Sequence, residues 1–235
     1  MKLVLVDINV YAIPGIREPV NCITHLLAVI LFSILSFYLI RLGRGSWLRV
    51  ASLSVMAIST VFLLSMSTVY HMLGPGTGRA VMRQLDIAGV FALITGTMTP
   101  IHAILDRGFK RWCSLLVVWS VAASGIVLRT VFPEGLPYGA GTGIFLLFGW
   151  SGLITCISLW RRYGFCFVKP LFWGGVIYSL GALILGQNSL TLIPGVLGSH
   201  EVWHLAVLAG LGLHWKFVFQ FAHGAPHSPV SRQGG

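Results

Sequence analysis

The sequence predicts an all-α protein, a seven-transmembrane helix bundle set in a lipid bilayer, and three observations carry that reading. Of the 235 residues 56% are apolar and 9% are charged, where a soluble domain averages roughly 25% charged. Glycine fills 28 positions, well above the usual share of about 7%. The charges also fall in clusters, leaving apolar runs of about 17–25 residues, the length that crosses a bilayer as a helix. Disorder is excluded, because it requires low hydrophobicity and high charge. Seven spans of about 20 residues use about 140 residues, which leaves little for any soluble domain. Residues 1–222 therefore read as one membrane domain and 223–235 as a polar tail.

The spans follow from the gaps between charges. The first, Val20–Ile40, is closed by Arg41. Val50–Leu73 lies between Arg49 and Arg79, and Leu85–Leu105 holds one charge, Asp86. Trp112–Leu128 and Tyr138–Trp160 are uncharged. The sixth span, Leu171–Gln187, is the shortest and weakest, and the Gly/Pro-rich stretch GQNSLTLIPGVLG follows it. The seventh, Val202–Phe221, holds Lys216, expected to snorkel to the interface. The tail HGAPHSPVSRQGG has no apolar pattern and is expected to be disordered. The first residues, MKLVLVDINVYAIPG, are interrupted by Asp7 and lack a small-residue cleavage site, so they do not read as a signal peptide. Trp47, Trp112, Trp160 and Trp173 fall at predicted span ends, as an aromatic belt does. Gly89, Gly96, Gly174, Gly175, Gly210 and Gly212 lie inside spans, where small residues let helices approach closely.

A net charge of +10 on a soluble chain would suggest nucleic acid. Here the cations lie between apolar runs, so lipid headgroups are the expected partner and nucleic acid is not. Cys22, Cys113, Cys156 and Cys166 form no CxxC pair, which argues against a disulfide framework or a thiolate zinc site. Orientation follows from the loops. Lys2, Arg17, Arg79, Arg83 and Arg129 share one side, and the remaining 11 of the 16 basic residues share the other. Positive charge stays inside. The N-terminus is then outside and the C-terminus cytoplasmic, in the plasma (inner) membrane if the source is bacterial.

Polar groups within a bilayer are costly and mark function by default. Four sets stand out: Ser67 and His71 at the end of the second span, Asp86 at the start of the third, His200 and His204 at the start of the seventh, and Glu18, Asn21, Thr24 and His25 at the start of the first. Span two ends on the side where spans three and seven begin, so His71, Asp86, His200 and His204 share one leaflet. The i,i+4 spacing puts His200 and His204 on one helix face. Two imidazoles from one helix and a third, His71, from a facing helix can bind Zn²⁺, leaving a fourth position for water as in a catalytic site. Asp86 can then serve as general base and Ser67 can orient the water or an oxyanion. The simpler partner for Asp86 is Arg83, one turn earlier.

The segments REPVNCITH (Arg17–His25), STVYH (Ser67–His71), LDIAGVFALITGTMTP (Leu85–Pro100) and HEVWHLAVLAGLGLH (His200–His214) resemble the progestin and adipoQ receptor superfamily, and within it the hemolysin III-like branch. The resemblance covers nearly the whole chain. It implies a seven-helix bundle with a zinc ion near one membrane face, His71, His200 and His204 as its ligands, and Asp86 and Ser67 near the zinc-bound water. Related membrane proteins with this constellation include alkaline ceramidases, which hydrolyse a lipid amide. Ile87 departs from the pattern, since bacterial members often carry a His there. Receptor members place the N-terminus in the cytoplasm, whereas the ceramidases share the outside arrangement that the charge count gives here.

His200-Glu201-Val202-Trp203-His204 also reads as the HExxH of zinc metalloproteases. A carboxylate in the first helical turn, however, is favoured by the helix dipole alone. Glu18 and His25 either bridge to the zinc site, line a cavity or pack. His214, ten residues beyond His204, is about 15 Å further along the helix, too far for the same metal, and reads as structural; His102, His223 and His227 read as interfacial or tail residues. The leading functional reading is a zinc-dependent hydrolase of a lipid amide or ester, with a lipid or lipid-like ligand held in a cavity between the helices. The alternative is a non-enzymatic receptor or membrane-homeostasis protein with structural zinc. A cytolytic protein is a weaker reading, since a pore needs a continuous polar lining, and an intramembrane protease is weaker too.

Overall fold

The computed structural model describes residues 13–131, 140–187 and 190–227. Its seven long helices are α1 (Pro19–Leu42), α2 (Trp47–Met72), α3 (Thr77–Pro100), α4 (Gly108–Val131), α5 (Ala140–Tyr163), α6 (Phe165–Gln187) and α7 (Ser199–Phe219). All are long and apolar enough to cross a membrane, α3 doing so together with a π-helical turn over Ile101–Leu105. The protein is therefore a multi-pass integral membrane protein with an all-α bundle. The readings made of residues 1–12, the signal-peptide question among them, and of tail residues 228–235 lie outside the described residues, as does the expected start of the fifth span at Tyr138.

Several helices exceed the expected spans, for a common reason. A backbone hydrogen-bond ladder does not stop where the apolar run stops. Thus α3 begins at Thr77 and carries Arg79 and Arg83 in its first turns, and α6 begins at Phe165 and runs through Lys169 and Pro170. The sixth span is a full helix of 23 residues rather than a short one, and Trp173 consequently sits in its third turn rather than at its end. The stretch after α6 is not all loop: Thr191–Ile193 (β1) pairs antiparallel with Leu197–Gly198 (β2). Pro100 lacks the N–H that would continue the ladder of α3, and the turn that follows is π-helical.

The core lies along α2 and α7. Leu53, Met56, Leu64, Leu211, Phe217 and Phe221 are fully enclosed. Trp215 on α7 stacks near Phe32 of α1 and donates its indole N–H to Thr60 of α2 at 3.2 Å. Glycines set the helix spacing at four of the six positions singled out above. Gly89 meets Leu63, Gly96 meets Ser59, Gly174 meets His214 and Gly210 meets Tyr178. Gly175 and Gly212 face open space instead, so close helix approach does not account for them.

Two expectations follow from this fold. A cysteine at Gly74, in the exposed α2–α3 loop beside Arg79, should react with an impermeant maleimide on intact cells once the exposed Cys113 and Cys166 are replaced by Ser. Labelling only after lysis would invert the orientation.

The second concerns the opposite membrane face. His102 is buried there, not interfacial, and its Nδ1 lies 2.9 Å from Asp106 Oδ2. Lys110 Nζ lies 3.1 Å from Asp106 Oδ1, and Arg111 Nε–H donates to the Asp106 carbonyl. Burial pushes the Asp106 carboxyl up, but the His102 and Lys110 contacts outweigh it and hold the carboxyl below its ordinary value. A depressed folded-state pKa stabilises above the unfolded value, and the contribution disappears as pH falls through the folded one. Asp106→Asn should therefore lower thermal stability at neutral pH, by about 1.5–3 kcal/mol for a charged hydrogen bond. It should also flatten the acid limb of a melting-temperature profile; an unchanged profile would remove the pair from the stability account.

Candidate metal centre

The centre is assembled at the ends of four helices. The short loop after α2 returns the chain so that α3 starts beside the helix it has just left. His71 sits in the last turn of α2, and no part of it reaches the surface. The β1–β2 hairpin delivers the start of α7. Ser199 Oγ–H donates to the Leu190 carbonyl at 3.2 Å and accepts from Leu190 N–H at 3.1 Å. Glu201 Oε2 accepts from Gly198 N–H at 2.9 Å, closing the helix N-terminus. His200 and His204 then project one turn apart from the same face.

These three histidines each offer a ring nitrogen, all within 4.8 Å of one another. His200 Nε2 and His204 Nε2 are 3.3 Å apart. His71 donates from Nδ1 to Glu18 Oε2, which leaves Nε2 as its free acceptor, and that atom is buried with no hydrogen-bond partner. His204 Nδ1 lies 2.9 Å from Nε2 of the buried His25. Nitrogens about 2.0–2.1 Å from zinc at tetrahedral angles stand roughly 3.3–3.4 Å apart, so the His200–His204 separation suits that geometry. A buried imidazole nitrogen without a partner is likewise the donor such an ion takes. The donor set fits zinc.

Ser67 and Asp86 line the same cavity as His25, His200 and His204. Ser67 Oγ is buried with no partner at close hydrogen-bond distance among the described residues, and Asp86 is the charged group with which it interacts. Arg83 is exposed and forms no close ion pair with Asp86 among the described residues; its charge acts on that carboxylate from beyond ion-pair distance. The cavity measures about 290 Å³ and runs from the histidines between α3, α5, α6 and α7. Beyond its polar end the walls are apolar, with Leu63, Val90, Ile94, Phe145 and Val176. His214 reaches the far part of the cavity, packed on Gly174 with Nε2 3.3 Å from the Leu171 carbonyl, apart from the three-histidine group.

Of the first-span residues, His25 lines the cavity, while Glu18 and Asn21 contact the histidines without lining it. Glu18 also binds Arg79, and its backbone N–H donates to the His71 carbonyl at 3.0 Å. Burial pushes the Glu18 carboxyl up; the His71 hydrogen bond and the charges of His71, His200 and Arg79 outweigh it and hold it at about 2. Asn21 is fully buried and donates to Glu201 Oε1 at 3.0 Å, with His200 Nδ1 3.4 Å away. Glu201 is thus committed to its own helix cap and to Asn21, which does not support the role of a metalloprotease base. The contacts of Glu18 and His25 were left open by sequence reasoning. Their i,i+3 and i,i+4 spacing around Asn21 was the available signal, because it puts all three on one face at the depth of the histidines.

Fold and site together define a class: a seven-helix integral membrane protein with a buried histidine cluster at one face of the bundle. Within that class the chain belongs to the haemolysin-III related family, whose pattern matches residues 15–215. It is 29% identical over 201 residues to Hemolysin-3 of Bacillus cereus, covering 83% of this chain and 86% of that one. It is 26% identical over 196 residues to the Hemolysin-3 homolog of Bacillus subtilis (strain 168), covering 83% and 89%. An uncharacterized protein of Schizosaccharomyces pombe is 25% identical over 228 residues, 87% of this chain and 51% of that longer one.

Proposed function

We propose that this haemolysin-III related protein is a zinc-dependent hydrolase of a lipid amide or ester. One observation carries the reading. His71, His200 and His204 converge beside a largely apolar cavity, and His200, His204, Asp86 and Ser67 line it. Its volume of about 290 Å³ lies near the lower end of ligand pockets, roughly 300–1,000 Å³. An acyl chain suits the apolar walls, with the scissile carbonyl at the polar end.

When bound, zinc supplies Lewis-acid polarisation of a carbonyl and lowers the pKa of a water. The residues divide the remaining work. The Asp86 carboxylate takes a proton from the attacking water as the new carbon–oxygen bond forms, and returns it to the leaving nitrogen or oxygen as the old bond breaks. The buried Ser67 Oγ–H donates to the oxygen that gains charge at the substrate carbonyl. The apolar walls hold the acyl chain and keep bulk water from it.

The test is release of free fatty acid from a panel of N-acyl and O-acyl lipids by the purified protein, followed by mass spectrometry. Release that stops on chelation and returns with zinc supports the reading. Full zinc occupancy without release from any lipid favours the receptor or membrane-homeostasis alternative.

A further inference from the structure

The structure assigns to Glu18 and His25 the positioning of the histidine cluster. Glu18 holds His71 through its Nδ1, His25 holds His204 through its Nδ1, and in both rings Nε2 is left to face the metal; this rests on the zinc reading above. A ligand histidine has two nitrogens, and whichever carries the proton is lost to the metal. Glu18 offers only an acceptor, so His71 Nδ1 carries the proton and Nε2 the lone pair. His25 Nε2 lies against His204 Nδ1, so His204 presents Nε2 toward His200. Acceptors behind ligand histidines set the tautomer and the ring orientation, and losing one costs about 10–100-fold in metal affinity.

His25 stands on the first helix and Glu18 immediately precedes it, and that helix contributes none of the three metal donors. The rival account makes Glu18 a clasp alone, since it also pairs with Arg79, whose guanidinium further binds the Tyr70 and Leu73 carbonyls and lies over the Tyr70 ring. The two accounts separate by measurement. A clasp changes the melting temperature of the metal-free protein, and Arg79→Gln should do so as much as Glu18→Gln. A positioning residue changes metal affinity and the ligand field.

The experiment is a zinc competition titration against a chromophoric chelator, with the visible spectrum of the Co²⁺-substituted protein alongside. Wild type should bind tightly and His71→Ala should not bind. Glu18→Gln and His25→Leu should each weaken zinc by about 10–100-fold and perturb the cobalt bands. His25→Gln, which keeps an acceptor, should recover much of the loss, and Arg79→Gln should leave affinity within a few-fold of wild type. Wild type without metal would overturn the zinc reading and this assignment with it. Tight wild-type binding, lost in His71→Ala but unchanged in Glu18→Gln and His25→Leu, would overturn the assignment alone. Should the variants fail to fold, ¹⁵N-histidine spectra of the unmutated protein loaded with ¹¹³Cd decide it. Metal coupling at Nε2 of His71 and His204, with protons on both Nδ1, is expected; coupling at either Nδ1 would overturn the assignment.

Discussion

Purified without chelators, the protein should carry about one zinc per chain, and His71→Ala, His200→Ala and His204→Ala should each lose it. The expectation rests on three nitrogens within 4.8 Å of one another, one of them buried without a partner. With two donors left, the ion keeps fewer than the three protein ligands of a catalytic site. His214→Ala is the control, since that ring contacts Gly174 and the Leu171 carbonyl rather than the cluster. Elemental analysis reads the stoichiometry. Melting curves give a second view, because a ligand at 100 times its Kd stabilises by about 2.7 kcal/mol. Added zinc should raise the melting temperature of wild type and of His214→Ala, and leave the three ligand variants unmoved. Wild type without zinc would remove the centre and the hydrolase reading together.

Asp86→Asn should abolish lipid hydrolysis while zinc content stays at the wild-type level. The amide has the shape of the carboxylate but cannot take a proton. Loss of a positioned general base costs about 10²–10⁴-fold in rate, or roughly 2.7–5.5 kcal/mol of barrier. Ser67→Ala should cost about 10²–10³-fold, the value of one oxyanion donor. A hydrolase that keeps its rate in Asp86→Asn would need another base. Among the described residues no other acidic side chain lines the cavity, so that result would redirect the search for the reaction centre.

The bundle was legible in the sequence because a bilayer imposes one length and one polarity on every span. Helix ends were less so. Arg79, Arg83 and Lys169 mark where the apolar run stops, not where the ladder does, and α3 and α6 pass through them. The spacing of His200 and His204, and the shared leaflet of His71, pointed to a cluster that the fold does bring together. What spacing could not provide was partner choice. Whether Glu18 meets His71, Arg79 or water depends on how α1 leans against α2 and α3, a matter of packing among faces of similar polarity. His102 shows the same limit: a histidine beside a charged loop reads as interfacial, and only the π-helical turn after Pro100 buries it.

The histidine cluster joins the two ends of the chain: His25 and His204, in direct contact, are 179 residues apart. Ribosomes add about 5–20 residues each second, so roughly 9–36 s separate the synthesis of these two side chains. During that interval Glu18, His25 and His71 wait at the membrane face without α7, and no three-histidine group exists to retain an ion. On the proposed zinc reading, metal capture is therefore a late event in biogenesis. A nascent chain arrested before its last helix could not retain zinc at this centre, however well its first six helices had inserted.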